Sequence, residues 1–242
     1  MEQRYEQAQI IVPTLADAGG RLGVPDTFGL FMDIASIHAG LLGCGLDDMA
    51  RRGLFWLTAK TQIIFYDRPR IMECVKARTW PEAPGKVRCH RSYQLLRGET
   101  LLVAGKTEWA VMDLKTKQLA PLAGVYPSDL SFDLPTAVSE PFARIQEGAD
   151  AWQTFSDYRV RSTDIDVGGH MNNAAYVRAL LGAFSTEERK ALRIGRMDVI
   201  FRTPCFEGET LELQRRETEN GLDLRIEKEG ATALLARIES KN

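Results

Sequence analysis

The chain has 242 residues, 44% of them hydrophobic and 26% charged, which is enough to bury a sizeable core and excludes a disordered or fibrous chain. Lys plus Arg (31) nearly balance Asp plus Glu (33), and a formal net charge of -2 exerts no global pull toward nucleic acid. Four cysteines without a CxxC pair (Cys44, Cys74, Cys89, Cys205) and only 3 histidines indicate neither a disulfide framework nor a zinc site. No metal and no cofactor are expected. The opening MEQRYEQAQ is polar rather than signal-like, and no apolar run is long enough to cross a bilayer. The expectation is a cytoplasmic protein without membrane or nucleic-acid partners.

Arg4 to Val12 has the β-branched, extended character of a strand ending at Pro13. After the turn-rich ADAGGRLG, a helix is expected from Pro25 to about Gly43, with Pro25 and Asp26 suited to its first turn. Phe31, Ile34, Ala35, His38, Leu41 and Leu42 recur at helical spacing and form its apolar face. Four strands follow in LFWLTAKTQIIFY, MECVKARTW, VRCHRSYQLL and ETLLVAGKTEWAVMD, separated by turn signals. Between residues 114 and 152 fall 4 of the 10 prolines, and residues 123–152 read as an ordered linker. The order then repeats. YRVRST is a short strand, a helix is expected from about Met171 to Phe184, and Ser185 with Glu188 forms a capping box for a short helix. RMDVIFRT, ETLELQRRE, LDLRIEKE and ATALLARIE supply four more strands. The match between halves is one of element order, so residues 1–122 and 153–242 read as tandem copies of one α+β unit, each an antiparallel sheet wrapped around one central helix.

The sharpest local feature is TDIDVGGHMNN at 163–173, which joins a strand to a helix. Its chemistry suits acyl transfer. Unpaired N–H groups at a helix start can hold a developing oxyanion, here assigned to the amide of Gly169 and its neighbours with His170 nearby. Gly168 and Gly169 let substrate approach the backbone, and a carboxylate beside them can activate water or attack directly. A capping and turn role for Asp164 or Asp166 is the plainer reading of the same residues. An EF-hand is excluded because Ala175 stands where its glutamate would be.

DIDVGGHMNNAAYVRAL resembles the DxDxxGHxNNxxY signature of the 4-hydroxybenzoyl-CoA-thioesterase-like hot-dog proteins. The whole chain is similar to the acyl-ACP (acyl carrier protein) thioesterases of bacteria and plant plastids, which are tandem double hot-dog enzymes. In the first half LFMDIASIHAGLLGCG, RRGLFWLTAKTQIIFYDRPR, ARTWPE and GKTEWAVMDLKTKQL carry that family's order and spacing. The resemblance implies hydrolysis of fatty acyl-ACP to free fatty acid, with Asp166 as catalytic aspartate, His170 as catalytic histidine and Cys205 as the downstream cysteine of the same site. Two positions depart from it: the family often has asparagine at Gly168 and glutamate at Pro204. Without that glutamate, Asp166 remains as general base or nucleophile. Asn173 is a further candidate, to fix water or the helix start.

The resemblance also places the acyl-chain pocket in the first half, where Trp56, Phe31, Ile34 and His38 are candidates to line it. His38 reads first as a hydrogen-bonded core or pocket-end histidine. Arg51, Arg52, Lys60, Arg68 and Arg70 can meet an acidic carrier protein by charge complementarity, although a solvated face is the commoner meaning of such residues. Two alternatives stay open: an acyl-CoA thioesterase of the 4-hydroxybenzoyl-CoA type, and a catalytically weakened acyl binder. Pairing of two chains into a homodimer is compatible with the pattern.

Overall fold

The structure is a computed structural model that describes residues 2–148 and 152–241; of the expected linker, residues 149–151 lie outside the described residues. The chain forms two compact units, one of residues 1–22 and 30–140, the other of residues 23–29 and 141–242.

The first unit contains β1 (Tyr5–Ile10), α1 (Val24–Leu41, its residues up to Gly29 grouped with the second unit), α2 (Leu46–Arg51), β2 (Leu54–Phe65), β3 (Cys74–Pro81), β4 (Arg88–Arg97), β5 (Thr100–Asp113) and β6 (Leu119–Ala120). Its long strands lie in the order β1-β3-β4-β5-β2, each pair antiparallel, with β6 beside β5. Phe31, Ile34, Ala35, His38 and Leu42 are buried, as helical spacing requires. Leu41 is 66% exposed, because it sits on the flank of that stripe in the last turn, so it does not belong to the apolar face. Phe31 stacks on Tyr93 of β4 with ring centroids 4.7 Å apart. That approach explains the glycine in the middle of β5: a Cβ on Gly105 would lie 2.5 Å from the Phe31 ring. The six-residue α2 is too short to leave a periodic signal; Asp48 caps it by accepting the Gly45 N–H at 3.2 Å.

Much of the segment after β6 packs on this unit. Trp80 Nε1 donates to Pro135 O (3.1 Å), the Ala137 N–H to Ser92 Oγ (2.9 Å), and Lys106 Nζ to Val138 O (3.1 Å) and Glu140 O (2.9 Å). Buried Val125, Leu130 and Val138 hold it by apolar contact.

The second unit contains β7 (Gln153–Arg159), α3 (Asn173–Gly182), α4 (Thr186–Ala191), β8 (Ile194–Phe201), β9 (Thr210–Thr218), β10 (Gly221–Lys228) and β11 (Ala231–Ser240). Its strands lie in the antiparallel order β8-β11-β10-β9-β7. Ala174, Ala175, Tyr176, Val177, Ala179, Leu180 and Leu181 bury most of α3. The Ser185–Glu188 capping box forms as expected: Ser185 Oγ accepts the Glu188 N–H at 3.2 Å and Glu188 Oε2 accepts the Ser185 N–H at 2.8 Å. Asp223 is fully buried on the sheet, where Arg237 Nε reaches its Oδ1 and Arg216 Nη2 its Oδ2, each at 2.7 Å.

Candidate active site

The signature loop leaves β7 through a 3-10 turn at Ser162–Asp164 and enters α3 through a single antiparallel bridge, Ile165 to Met171. Between those bridge residues the chain makes a tight turn. The Asp166 N–H donates to His170 O (3.1 Å), and the Gly169 N–H donates back to Asp166 O (2.9 Å). Gly169 adopts φ +76°, a left-handed conformation that a side chain would strain, which is the reason for glycine there. Asp166 Oδ1 accepts the Gly168 N–H at 2.8 Å and Oδ2 accepts Asn172 Nδ2 at 3.4 Å, so the carboxylate is oriented from both sides. No cation lies within ion-pairing distance of it among the described residues. Its remaining lone pairs are available to a water or a substrate.

These bonds correct one expectation. The amides of Gly168 and Gly169 are consumed by the turn itself and do not supply the oxyanion donors. At the helix start Asn172 is the N-cap: its Oδ1 accepts the Ala174 N–H at 2.9 Å, and its O accepts from Ala175 and Tyr176. The N–H groups of Val167, His170 and Asn173 donate to no other described residue, and those of His170 and Asn173 lie at the approach to α3, where open donors are expected. Asn172 therefore does what sequence reasoning offered to its neighbour Asn173, whose side chain makes no hydrogen bond among the described residues. Only register relative to the cap separates two adjacent asparagines, and a sequence alone cannot supply that.

His170 is half-buried, with Nδ1 placed 3.2 Å from Met171 O and Nε2 in no hydrogen bond among the described residues. Cys205 meets the loop through its backbone. Its O accepts the Met171 N–H and its N–H donates to the Tyr176 hydroxyl, both at 2.8 Å. The thiol is fully buried; burial pushes its pKa up against the opposing influence of Tyr176 and Lys228, which keeps it protonated and a poor nucleophile. Tyr176, one turn into α3, is thus the clasp that sequence reasoning passed over, although it is the last residue of the signature. Asp164 has a structural post, accepting the Tyr158 hydroxyl and the Arg161 N–H, each at 2.8 Å.

Of the pocket candidates of the first unit, Phe31, Ile34 and His38 share the buried face of α1, and Trp56 stands on β2. Phe31 and Ile34 are fully buried beneath α1. His38 is 2% exposed, receives Arg91 Nη1 on Nδ1 (3.1 Å) and places Nε2 3.2 Å from Glu2 O. Burial and the adjacent Arg91 cation lower its pKa to about 4. Trp56 donates Nε1 to Cys44 O at 2.8 Å. A pocket of about 830 Å³ does open in this unit, walled by Val87, Leu122, Tyr126, Leu130 and Phe132, and Trp56 stands behind Tyr126 with ring centroids 6.1 Å apart. Among the basic residues considered for docking, Arg51 pairs with Asp48, Lys60 with Glu108 (3.2 Å) and Arg68 with Asp17 (2.5 Å); Arg52 donates to Gly124 O (3.0 Å). These charges are largely committed inside the chain.

Residues 2–125 match the model of the acyl-ACP thioesterase N-terminal domain, and residues 148–242 that of the C-terminal domain. A palmitoyl-acyl carrier protein thioesterase of Cuphea hookeriana is 22% identical over 174 residues, covering 68% of this chain and 41% of that protein. Oleoyl-acyl carrier protein thioesterase 2 of Arabidopsis thaliana is 23% identical over 211 residues, 79% of this chain and 57% of that one. The chain thus spans about half the length of the curated relatives it matches. Among solved structures, an acyl-ACP thioesterase from Bacteroides thetaiotaomicron shares 20% identity at a TM-score of 0.87, covering 98% of this chain and 97% of its own. The 12:0-ACP thioesterase of Umbellularia californica gives 16% identity and a TM-score of 0.81 over 99% and 97%. These likenesses establish the α+β hot-dog fold of both units. With a strand-to-helix loop that presents an oriented carboxylate at a helix start, and family models covering both units, the chain belongs to the acyl-ACP thioesterase family.

Proposed function

We propose that the protein hydrolyses fatty acyl thioesters of acyl carrier protein to free fatty acid and carrier thiol, with Asp166 as general base. The observation that carries this reading is the Asp166 carboxylate, held by Gly168 and Asn172, unpaired with any cation among the described residues, beside open N–H groups at the start of α3. Asp166 takes a proton from water as the oxygen attacks the thioester carbonyl. The N–H groups of His170 and Asn173 receive the oxyanion, where fixed donors cost no reorganisation. The C–S bond then breaks, and the proton held on Asp166, or one delivered by His170, passes to the leaving thiolate. A thioester needs less assistance than an amide, so one base and two donors suffice. The first unit takes the acyl tail, a role supported by its apolar pocket of about 830 Å³.

A second reading, hydrolysis of acyl-CoA by the same residues, differs only in the carrier of the thiol. Thiol release from a panel of acyl-ACPs and acyl-CoAs, run with wild type and Asp166→Ala, separates the readings. Turnover of acyl-ACP that falls about 100-fold or more in the variant supports the proposal. Turnover of acyl-CoA alone moves the assignment to the second reading. Acyl-ACP binding without thiol release makes the protein an acyl binder.

A further inference from the structure

The Asp166 loop has a counterpart in the first unit. ADAGGRL at 16–22 and IDVGGHM at 165–171 have the same pattern and fold the same way. Each follows a 3-10 turn and closes on one antiparallel bridge, Ala16 to Leu22 in the first case and Ile165 to Met171 in the second. The Gly19 N–H donates to Asp17 Oδ1 at 2.8 Å, as the Gly168 N–H does to Asp166 Oδ1. The Gly20 N–H donates to Asp17 O at 2.9 Å, as the Gly169 N–H does to Asp166 O, and Gly20 has φ +66° where Gly169 has +76°.

The correspondence extends to the segment each loop leans on. The Leu22 N–H donates to Pro69 O, as the Met171 N–H does to Cys205 O. The Arg70 N–H donates to Glu73 Oε2 and the Phe206 N–H to Glu209 Oε2; Arg97 then pairs with Glu73 as Lys228 does with Glu209. Cys205 therefore stands in the place of Pro69, Pro204 in that of Arg68, Thr203 in that of Asp67, and His170 in that of Arg21.

The two copies differ in what surrounds the shared aspartate. In the first, Arg68 Nη1 lies 2.5 Å from Asp17 Oδ2, and Arg21 Nη1 lies 2.6 Å from Asp67 Oδ1, so four charges close on one another. In the second, both partner positions are uncharged, Pro204 and Thr203, and Asp166 and His170 have no ion-pair partner among the described residues. We propose that the residue at positions 68 and 204 decides which copy of the loop is chemically open: Arg68 closes the Asp17 carboxylate, whereas Pro204 leaves the Asp166 carboxylate to water and substrate. Pro204 is then a permissive feature of the site rather than damage to it. The inference rests on the hydrolase reading for its activity test and on geometry for its structural test.

The experiment installs the clamp in the second copy. Pro204→Arg and Pro204→Met are made in the full chain and assayed for thiol release from acyl-ACP, and the crystal structure of Pro204→Arg is determined. The expected result for Pro204→Arg is a kcat loss of about 100-fold with KM within about threefold, an undiminished thermal midpoint, and a guanidinium on the Asp166 carboxylate. Pro204→Met, which adds length without charge, keeps kcat within about threefold. Full activity in Pro204→Arg, or an equal loss in Pro204→Met, overturns the proposal. Should Pro204→Arg fail to fold, Pro204→Lys brings the same charge on a more flexible stem and is held to the same contrast with Pro204→Met. If wild type releases no thiol, the hydrolase reading fails; the clamp is then decided by whether the introduced guanidinium pairs with Asp166 in the crystal, and its absence there overturns it.

Discussion

The two glycine loops share a backbone and differ in electrostatics. Each turn is held by main-chain bonds and an aspartate oxygen accepting the N–H two residues on, so the geometry survives wherever the Asp-x-Gly-Gly pattern does. What the aspartate can do is set by a residue about 40 to 50 positions away in sequence, on the segment that follows β2 or β8. The helix start differs as well. Asn172 caps α3 and touches Asp166, while Gly23 fills that place after the Asp17 loop and has no side chain to offer. Repetition of the pattern thus preserves a turn easily, because backbone bonds make it. It preserves chemistry only where the surrounding side chains leave the carboxylate open.

The widest test sets clamped aspartates against the open one. Asp223, fully buried between Arg216 and Arg237, should be the costliest to lose. Asp223→Ala strands two cations at a buried position and should lower unfolding free energy by about 3–5 kcal/mol, read by chemical denaturation. It should do so by destabilising the fold rather than by altering the kcat of the folded fraction. Asp166→Ala should do the opposite, with kcat down about 100-fold and a stability change within about 1 kcal/mol. Asp17→Ala, its counterpart in the first loop, should leave kcat within about threefold and cost about 1–3 kcal/mol of stability. A large kcat loss in Asp17→Ala with unchanged stability would refute the division of labour between the loops.

A pH titration sharpens the contrast from the side of the first unit. His38 has a folded pKa of about 4, well below the ordinary 6.5, because burial and Arg91 oppose its charging. Between those values the unfolded chain binds a proton that the folded chain does not. His38 therefore favours folding above pH 6.5, and that contribution is progressively lost as the pH falls toward 4, to a total of up to about 3 kcal/mol. Urea midpoints measured from pH 7 to 4 should fall accordingly, and His38→Gln should flatten this part of the curve. Asp17 works in a lower window. Burial alone would raise its pKa, but the Arg68 guanidinium and the N–H groups of Arg21 and Gly19 outweigh it and hold the carboxyl below its ordinary value. Its contribution is present above the unfolded carboxyl pKa and is lost only as pH falls through the depressed folded one.

Two smaller effects probe packing and capping. Gly105→Ala places a Cβ 2.5 Å from the Phe31 ring and should cost about 1–3 kcal/mol, relieved in part by also shortening Phe31 to Leu, a double-mutant coupling that thermal melts can measure. Asn172→Ala removes the α3 cap at about 1 kcal/mol. It should also reduce kcat, since the Nδ2 donor to Asp166 goes with it. A loss of stability with no kinetic effect would restrict Asn172 to capping.

Element order, the helix-then-sheet repeat and the Asp166–His170 loop were legible in the sequence because each rests on local rules: alternation in strands, helical spacing in α1, and the turn chemistry of Asp-x-Gly-Gly. The first copy of that turn was legible only as a turn. ADAGGRL carries arginine where the second loop has histidine, and nothing local marks Asp17 as the partner of Asp166. The donors at the site were legible only in kind. A glycine pair suggests available amides, but hydrogen-bond register spends those of Gly168 and Gly169 on the turn and leaves those of His170 and Asn173 open. Likewise Asn172 and Asn173 are interchangeable until the helix start is fixed to one residue. The sequence by itself thus determined the long elements, the loop and the family resemblance, because short-range bonds and side-chain periodicity are written along the chain. Tertiary structure alone decided which aspartate is paired and which is open, because Arg68 and Pro204 act on the loops across space, and a carboxylate's availability depends on what lies within a few ångströms of it.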